Sequence, residues 1–248
     1  MFFESLKDII ISIMSKNRIP VLAILLTVLL FFIQHFSSQP PAPKGMDAPL
    51  NEFSAVRAYN ILKDLLQENQ PHPVGSDLNR VVKERLKVEL DKLGVEHQEQ
   101  KTWACSSRFS NCAEVENLIG IIPGKSDLPY LALMAHYDSV PMAPGAGDDG
   151  AGVVAILEAV RALKLEVPYK HPIMLIITDA EESGLLGAEA FFNQHPLAKK
   201  VGIVLNIEGS GSSGSSMVLR TSDKNELLIK SYSNQNTSPY GFSFVKEI

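Results

Sequence analysis

Basic residues are the minority charge in this sequence. The chain carries 23 Lys and Arg against 28 Asp and Glu over 248 residues, a formal net charge of -5. That balance argues against a nucleic-acid binder built on a broad basic surface and leaves room only for a local patch, so no nucleic-acid partner is expected. Cysteine is nearly absent, with Cys105 and Cys112 both in CSSRFSNC. No histidine lies close to them in sequence, which makes a local zinc knuckle a poor fit. Outside the cytoplasm such a pair closes a small surface loop as a disulfide, and in a reducing compartment the two remain free thiols. No internal repeat is found.

Charge is missing altogether from Ile19 to Ile33, IPVLAILLTVLLFFI, where there is also only one hydroxyl. Extended to Phe36, the run approaches the ~20 residues that cross a bilayer. Lys16 and Arg18 precede it and no further Lys or Arg follows until Lys44. The positive-inside rule then puts the N-terminus in the cytoplasm and the bulk of the chain outside it, in a periplasm, on the cell exterior or in an organelle lumen. A cleaved signal peptide is the alternative, but FIQHFSSQPPAPKG offers no good small-x-small cleavage site. The expectation is a single-pass transmembrane anchor over residues 19–36. Residues 1–18 form a cytoplasmic segment in which Phe2, Phe3, Leu6, Ile9, Ile10, Ile13 and Met14 recur at helical spacing. That pattern suits an amphipathic helix lying on the membrane, or else a longer buried hydrophobic helix.

Residues 37–50 read as a Pro-rich linker, and 51–248 are long enough for one substantial α/β domain. Helical patterns cover Phe53 to Leu66 (Val56, Tyr59, Leu62 and Leu66) and Val81 to Leu93 (Leu86, Leu90 and Leu93), with the turn-rich loop QPHPVGS between them. From Glu116 onward strands and helices alternate. NLIGII, YLALMAH, PIMLIIT and VGIVLNI read as strands, GAGVVAILEAVRAL and GLLGAEAFFNQ as helices, and GSGSSGSS as a loop. Continuous apolar strands alternating with amphipathic helices indicate a sheet covered on both faces.

In an open α/β sheet, ligands bind outside the carboxyl ends of the strands. Polar residues collect at those ends here: His136 and Asp138 after YLALMA, Asp179, Glu181 and Glu182 after PIMLIIT, and Glu208 after VGIVLNI. The loop APGAGDDGAG adds Asp148 and Asp149 just before a helix. Taken singly, a strand-end His is commonly structural and an acidic pair before a helix is commonly a cap. Capping does not explain why each acidic cluster follows an apolar strand, and so many negative charges at one region require a bound cation. Imidazole with carboxylates suits zinc, and also manganese or cobalt. GAGDDG matches G-x-G-x-x-G, but its two aspartates would repel a pyrophosphate, and GSGSSGSS does not fit G-x-S-x-G.

AHYDSVPMAPGAGDDGAG, TDAEESGLLGAEAF and LNIEGSG, in that order and spacing, resemble the co-catalytic zinc aminopeptidase family, which includes bacterial leucyl aminopeptidases and glutamate carboxypeptidases. The upstream anchor, PHPVGS and the Glu of NIEG look most like its membrane-bound branch, which contains the endoplasmic-reticulum metallopeptidase and the vacuolar membrane protease. The resemblance covers about residues 52–222. It implies a three-layer zinc-exopeptidase fold with a mixed, mostly parallel sheet between helices, and two Zn2+ per site in the complete protein. It also implies metal ligation by His136, Asp148 (bridging), Glu182 and Glu208. Glu181 is the implied general base, and Asp138 the residue orienting the imidazole. Asp149 stands where the family often has a non-proline cis peptide. The substrate implied is a peptide, cleaved by a metal-activated water. The family's last histidine ligand has no counterpart, because none of the six histidines follows Glu208, so the expected domain is truncated at its C-terminal end. His72 and His97 read as structural or surface residues. His171 belongs to the end of the sheet away from the site, and His195 to a helix end where a cation complements the dipole. Two other functions remain: a non-catalytic receptor or scaffold on the peptidase fold, and a single-zinc acyltransferase resembling glutaminyl cyclases. Asn236-Thr237-Ser238 is a glycan acceptor if the compartment is a eukaryotic lumen.

Overall fold

The computed structural model describes residues 18–37, 39–106, 109–166, 168–209, 214 and 216–234. The expected amphipathic segment over 1–17, most of GSGSSGSS and the Asn236 sequon lie outside them. The chain divides into two compact units, Met1–Ala42 with Ser213–Ile248, and Pro43–Ser212.

In the first unit, α1 (Arg18–Ser37) has 20 residues, about 30 Å at 1.5 Å per residue, which matches a hydrocarbon core. Its stretch Pro20–Ser37 has mean hydropathy 2.0 and no share buried, and it is the one helix among the described residues long and apolar enough to cross a membrane.

The second unit holds α2 (Ala55–Leu65), α3 (Asp77–Lys92), the strands β1 (Glu96–Ser106), β2 (Asn111–Ile122) and β3 (Tyr130–His136), α4 (Ala151–Leu163), β4 (Ile173–Thr178), α5 (Leu186–Gln194) and β5 (Val201–Asn206). α6 (Glu226–Asn234) belongs to the first unit. The sheet order is β1-β2-β4-β3-β5. β3 pairs in parallel with β4 and β5, whereas β2 runs antiparallel to β4 and to β1. Strand β1 has no counterpart in the sequence reading. Its EHQEQKTWACS carries no apolar run, and as an edge strand it buries only every few residues. Cys105 and Cys112 face one another in the β1–β2 register and are joined by a disulfide.

Every residue of β4 is buried, and strand alternation divides its side chains between two cores. Ile173, Leu175 and Ile177 pack with Leu86, Leu90, Ile156 and Leu157 from α3 and α4. Met174 and Ile176 pack with Phe191 from α5. The result is a helix–sheet–helix sandwich. In α3, Val82, Leu86 and Leu90 face inward while Val81 lies 41% exposed, so the buried stripe is one residue out of step with the helix start read from the sequence. In α2, Ala58 and Leu65 are buried but Tyr59 points out at 60% exposure.

Both helices are N-capped by serine. The Ser54 Oγ accepts the Arg57 N–H at 3.1 Å and the Ser76 Oγ accepts that of Asn79 at 3.1 Å, each satisfying an otherwise orphaned donor. Residues 48–52 are fastened to α2 and α4. Arg57 donates to the carbonyls of Ala48 and Glu52, and Arg161 to those of Leu50 and Glu52. Both guanidinium groups also hold the buried Glu158 carboxylate, at 2.9 and 2.7 Å.

Candidate metal centre

The parallel strands set the site. His136, the last residue of β3, is level with Thr178 of β4, and Met134 is level with Asn206 of β5. Continuing that second register by two residues puts Glu208 beside His136. Three chains therefore leave the sheet at one rim, and their next residues must meet. The His136 Nε2 lies 3.1 Å from an Asp148 oxygen, 3.4 Å from Glu208 and 3.8 Å from Glu181. Ligand atoms of His136, Asp148 and Glu182 all lie within 4.8 Å of one another, as do those of His136, Asp149 and Glu208. All of the residues expected at the site are therefore brought to one place.

Their surroundings differ. His136, Asp138 and Asp149 are buried, while Asp148 has a half-exposed side chain and Glu182 is intermediate. Asp138 works in two directions. One of its oxygens lies 3.3 Å from the His136 Nδ1. The same carboxylate accepts the backbone N–H groups of Glu181 at 2.9 Å and Glu182 at 3.3 Å. The Asp149 oxygens are already engaged, accepting the N–H of His136 at 3.3 Å and of Gly152 at 3.0 Å. The Asp148–Asp149 peptide is cis.

The loop carrying the two glutamates is bracketed by non-glycine residues in the left-handed region, Ala180 at φ 56° and Leu185 at φ 63°. Each costs roughly 1–2 kcal/mol, and such conformations persist where surrounding bonds over-determine them. Those bonds come from Asp138 on one side. On the other, the buried Asp179 accepts the Ala180 N–H at 2.9 Å, the Glu116 N–H at 3.1 Å and the Asn79 amide at 3.1 Å. Asn117 accepts the Asp179 N–H at 3.0 Å and donates to the Gly187 carbonyl at 2.8 Å. The β1–β2 hairpin borders the same loop. Asn111 donates to the Ser183 carbonyl at 3.3 Å, and the Phe109 ring lies so close to Gly184 that a Cβ there would come within 2.7 Å of it.

Electrostatics at the rim fit a cation. Burial raises the Glu181 carboxyl to about 7, and Glu208, Asp138 and Glu182 push the same way. Burial raises Asp149 to about 8, with Glu208 adding repulsion. Burial also raises Asp148 and Glu182, to which Glu208 and Asp148 respectively contribute. Burial opposes a charged His136, yet Asp138 and Glu208 outweigh it and lift the imidazole to about 11. Carboxyl groups driven toward protonation around one imidazole are a donor set in which a divalent ion takes the place of protons.

A family model described as peptidase family M28 matches residues 117–248, more than half of the chain. The chain belongs to peptidase family M28. A vacuolar membrane protease of Lachancea thermotolerans is 40% identical over 136 residues, which is 54% of this chain and 14% of that protein. Glutaminyl cyclase of Porphyromonas gingivalis superposes with a TM-score of 0.64 at 21% identity, over 77% of this chain and 75% of that one. A Zn-dependent exopeptidase from Parabacteroides distasonis gives 0.55 at 22% identity, over 66% and 64%. These two structures share the fold, which is the expected zinc-exopeptidase sandwich. The chain spans between 13% and 23% of the length of the curated relatives it matches.

Neither ligand cluster contains His72, His171 or His195. His72 is buried and hydrogen-bonded to backbone. The His171 Nδ1 meets the Pro129 carbonyl at 2.9 Å. His195 differs from the expected helix-end cation: its Nδ1 accepts the Leu197 N–H at 3.3 Å and burial lowers its pKa. That nitrogen carries no proton. Asn79, Asn117 and Asp179 were the residues hardest to find from sequence, because a buried amide has no spacing signature. The one available signal for Asp179 was its place at a strand end.

Proposed function

We propose that this chain is the peptidase module of a membrane-anchored, zinc-dependent exopeptidase of the aminopeptidase type. The observation that carries the reading is the clustering of His136 with Asp148 and Glu182, and of His136 with Asp149 and Glu208, beyond the carboxyl ends of β3, β4 and β5, each set with ligand atoms within 4.8 Å of one another. Membership of peptidase family M28 supports hydrolysis of peptides. The titles of relatives and neighbours support zinc and a membrane location, and α1 supplies a span of the right length. Residues 19–36 are then the anchor, 37–50 the linker and 51–248 peptidase domain, with the N-terminus cytoplasmic and the domain outside the cytosol.

In this reading His136 and Glu208 would hold one metal and Glu182 a second, with Asp148 the ligand shared between them. Asp149, whose oxygens serve backbone N–H groups, supports the ligands without joining them. A bound divalent metal would supply Lewis acidity, lowering the pKa of water to about 7 and drawing charge from a carbonyl. Glu181 accepts the proton of the attacking water. Held near pH 7 by its burial, its carboxyl then returns that proton to the leaving amine. Asp138 fixes the imidazole through Nδ1, and by gripping the N–H groups of Glu181 and Glu182 it aims base and ligand together.

The fold likeness to glutaminyl cyclase favours a second reading, a single-metal acyltransferase. Incubating the purified protein with a free N-terminal peptide and with an N-terminal glutaminyl peptide separates the two. The exopeptidase releases the first residue with uptake of water and is silenced by a chelator. A cyclase gives a cyclic product and leaves the other peptide intact. Absence of both activities together with absence of bound zinc would favour the scaffold and overturn the proposal.

A further inference from the structure

The PHPVGS loop and the start of α3 carry no ligand and no base, yet they reach both active-site strand exits. The His72 Nε2 donates to the Tyr137 carbonyl at 2.8 Å, and its backbone N–H donates to the Ser139 Oγ at 2.8 Å. Both partners sit on the segment that leaves β3 between His136 and Val140. Seven residues later, the Asn79 side chain donates to Asp179 Oδ1 at 3.1 Å, on the exit of β4. The same amide reaches back to the His72 carbonyl at 3.4 Å. His72, Asn79, Asp179 and Ser139 are all buried, so these bonds are not exchanged for water.

The need for such a tie follows from the topology. The β3–β4 ladder ends with the Tyr137 N–H donating to the Thr178 carbonyl at 3.0 Å. Beyond it nothing in a parallel sheet fixes the spacing of two diverging chains. Metal ligands must nevertheless be held to within about 0.5 Å. Asp138 spans the gap on the metal side through the N–H groups of Glu181 and Glu182.

We infer that His72 and Asn79 form a second tie beneath it and are positioning residues for the metal centre: they fix the separation between the His136–Asp138 segment and the Glu181–Glu182 loop. The Ser76 cap holds the start of α3 through the Asn79 N–H, so the Asn79 amide is presented from a fixed helix end. Asp179 Oδ1 receives Asn79 and Ala180 while Oδ2 receives Glu116. Losing the Asn79 donor therefore leaves Asp179 bonded to its own loop and to β2 and cuts its tie to the His72 carbonyl, so that the Tyr137 side chain is what still meets it from the β3 exit. This inference rests on the metal-site reading above.

The test is a titration of the purified metal-free protein with Co2+, followed by its visible absorption, for wild type, Asn79→Ala and a control, Val82→Ala. Val82 lies on the same helix, is equally buried and packs in the core beside His72 and Tyr137, but its side chain makes no hydrogen bond in the tie, so it controls for lost packing. Both variants lower Tm. Asn79→Ala is expected to weaken Co2+ binding about 10- to 100-fold and to change the band shape, as removal of groups that orient ligands does. Val82→Ala is expected to leave both unchanged. Asn79→Ser, which keeps a donor, is expected to lie between wild type and Asn79→Ala, and it takes over the measurement if the alanine variant does not fold. Equal affinity and spectrum for wild type and Asn79→Ala, or an equal loss in Val82→Ala, would overturn the tie. A wild type that binds no Co2+ would instead overturn the metal site on which the tie depends.

Discussion

Glu181 and Glu182 are neighbours in sequence with different surroundings, and the proposed reading gives them different work. Burial brings Glu181 to about 7, and its Oε2 lies 3.8 Å from the His136 Nε2. Glu182 joins His136 and Asp148 in one cluster of ligand atoms. Replacing Glu181 by Gln keeps size and polarity but removes the proton acceptor. The expected outcome is a fall in kcat of about 10²–10⁴-fold, typical of general-base loss, with zinc content unchanged by elemental assay. Near-wild-type turnover would remove Glu181 from that role. His136, Glu181, Glu182 and Glu208 were legible as candidates because each stands at or just after the end of an apolar strand, whereas Asp148 stood out only as part of an acidic pair before a helix. The double grip of Asp138 on His136 and on two backbone N–H groups was not legible, since half of it is made to backbone that sequence does not place.

At the scale of elements, boundaries came within a few residues wherever an apolar run or a helical stripe was present, as for β3, β4 and α4. β1 escaped because its side chains are mostly polar and its pairing to β2 is made by backbone. The buried stripe of α3 was read from Leu86 and Leu90 but not from Val82, which the helix start at Asp77 brings inward. Leu86 is fully buried between α3 and the sheet. Truncation to Ala removes its packing and leaves a cavity, expected to cost about 2–5 kcal/mol. Urea unfolding of Leu86→Ala should show that loss as a lower midpoint with unchanged slope. A shift under 1 kcal/mol would mean that α3 repacks freely and could not hold the Ser76–Asn79 end in place.

Across the whole molecule, one buried carboxylate joins three parts of the second unit. Glu158 on α4 accepts the Ser54 N–H and both arginines, and those arginines hold the carbonyls of residues 48–52. Burial alone would raise its pKa, but Arg161, Arg57 and the Ser54 N–H outweigh it and the pKa is lowered. A group whose folded pKa lies below its unfolded value binds fewer protons when folded. Its stabilisation is therefore complete above the unfolded value of 4.5 and is lost as pH falls below it. Tm of the wild type should drop as pH falls from about 5 toward 3, and Glu158→Gln should flatten that part of the profile. The variant should also lose about 1.5–3 kcal/mol at neutral pH, because two part-buried guanidinium groups lose their carboxylate and keep only carbonyl partners. An unchanged acid limb in the variant would show that other carboxylates govern it.

By itself the sequence determined the apolar span, the alternating strands and helices, a sheet covered on both faces and the acidic groups at its rim. Those features depend on hydrophobic periodicity and on the cost of charge near a core, and both act locally along the chain. Only the tertiary structure decided that His136 and Glu208 meet beyond the ends of neighbouring strands and that Asn79 and Asp179 meet across the fold. It also decided that the carbonyls of residues 48–52 are held by Arg57 and Arg161. These are contacts between residues from 5 to 111 positions apart, brought together by the packing of whole elements, and so they leave no mark in the local order of the side chains.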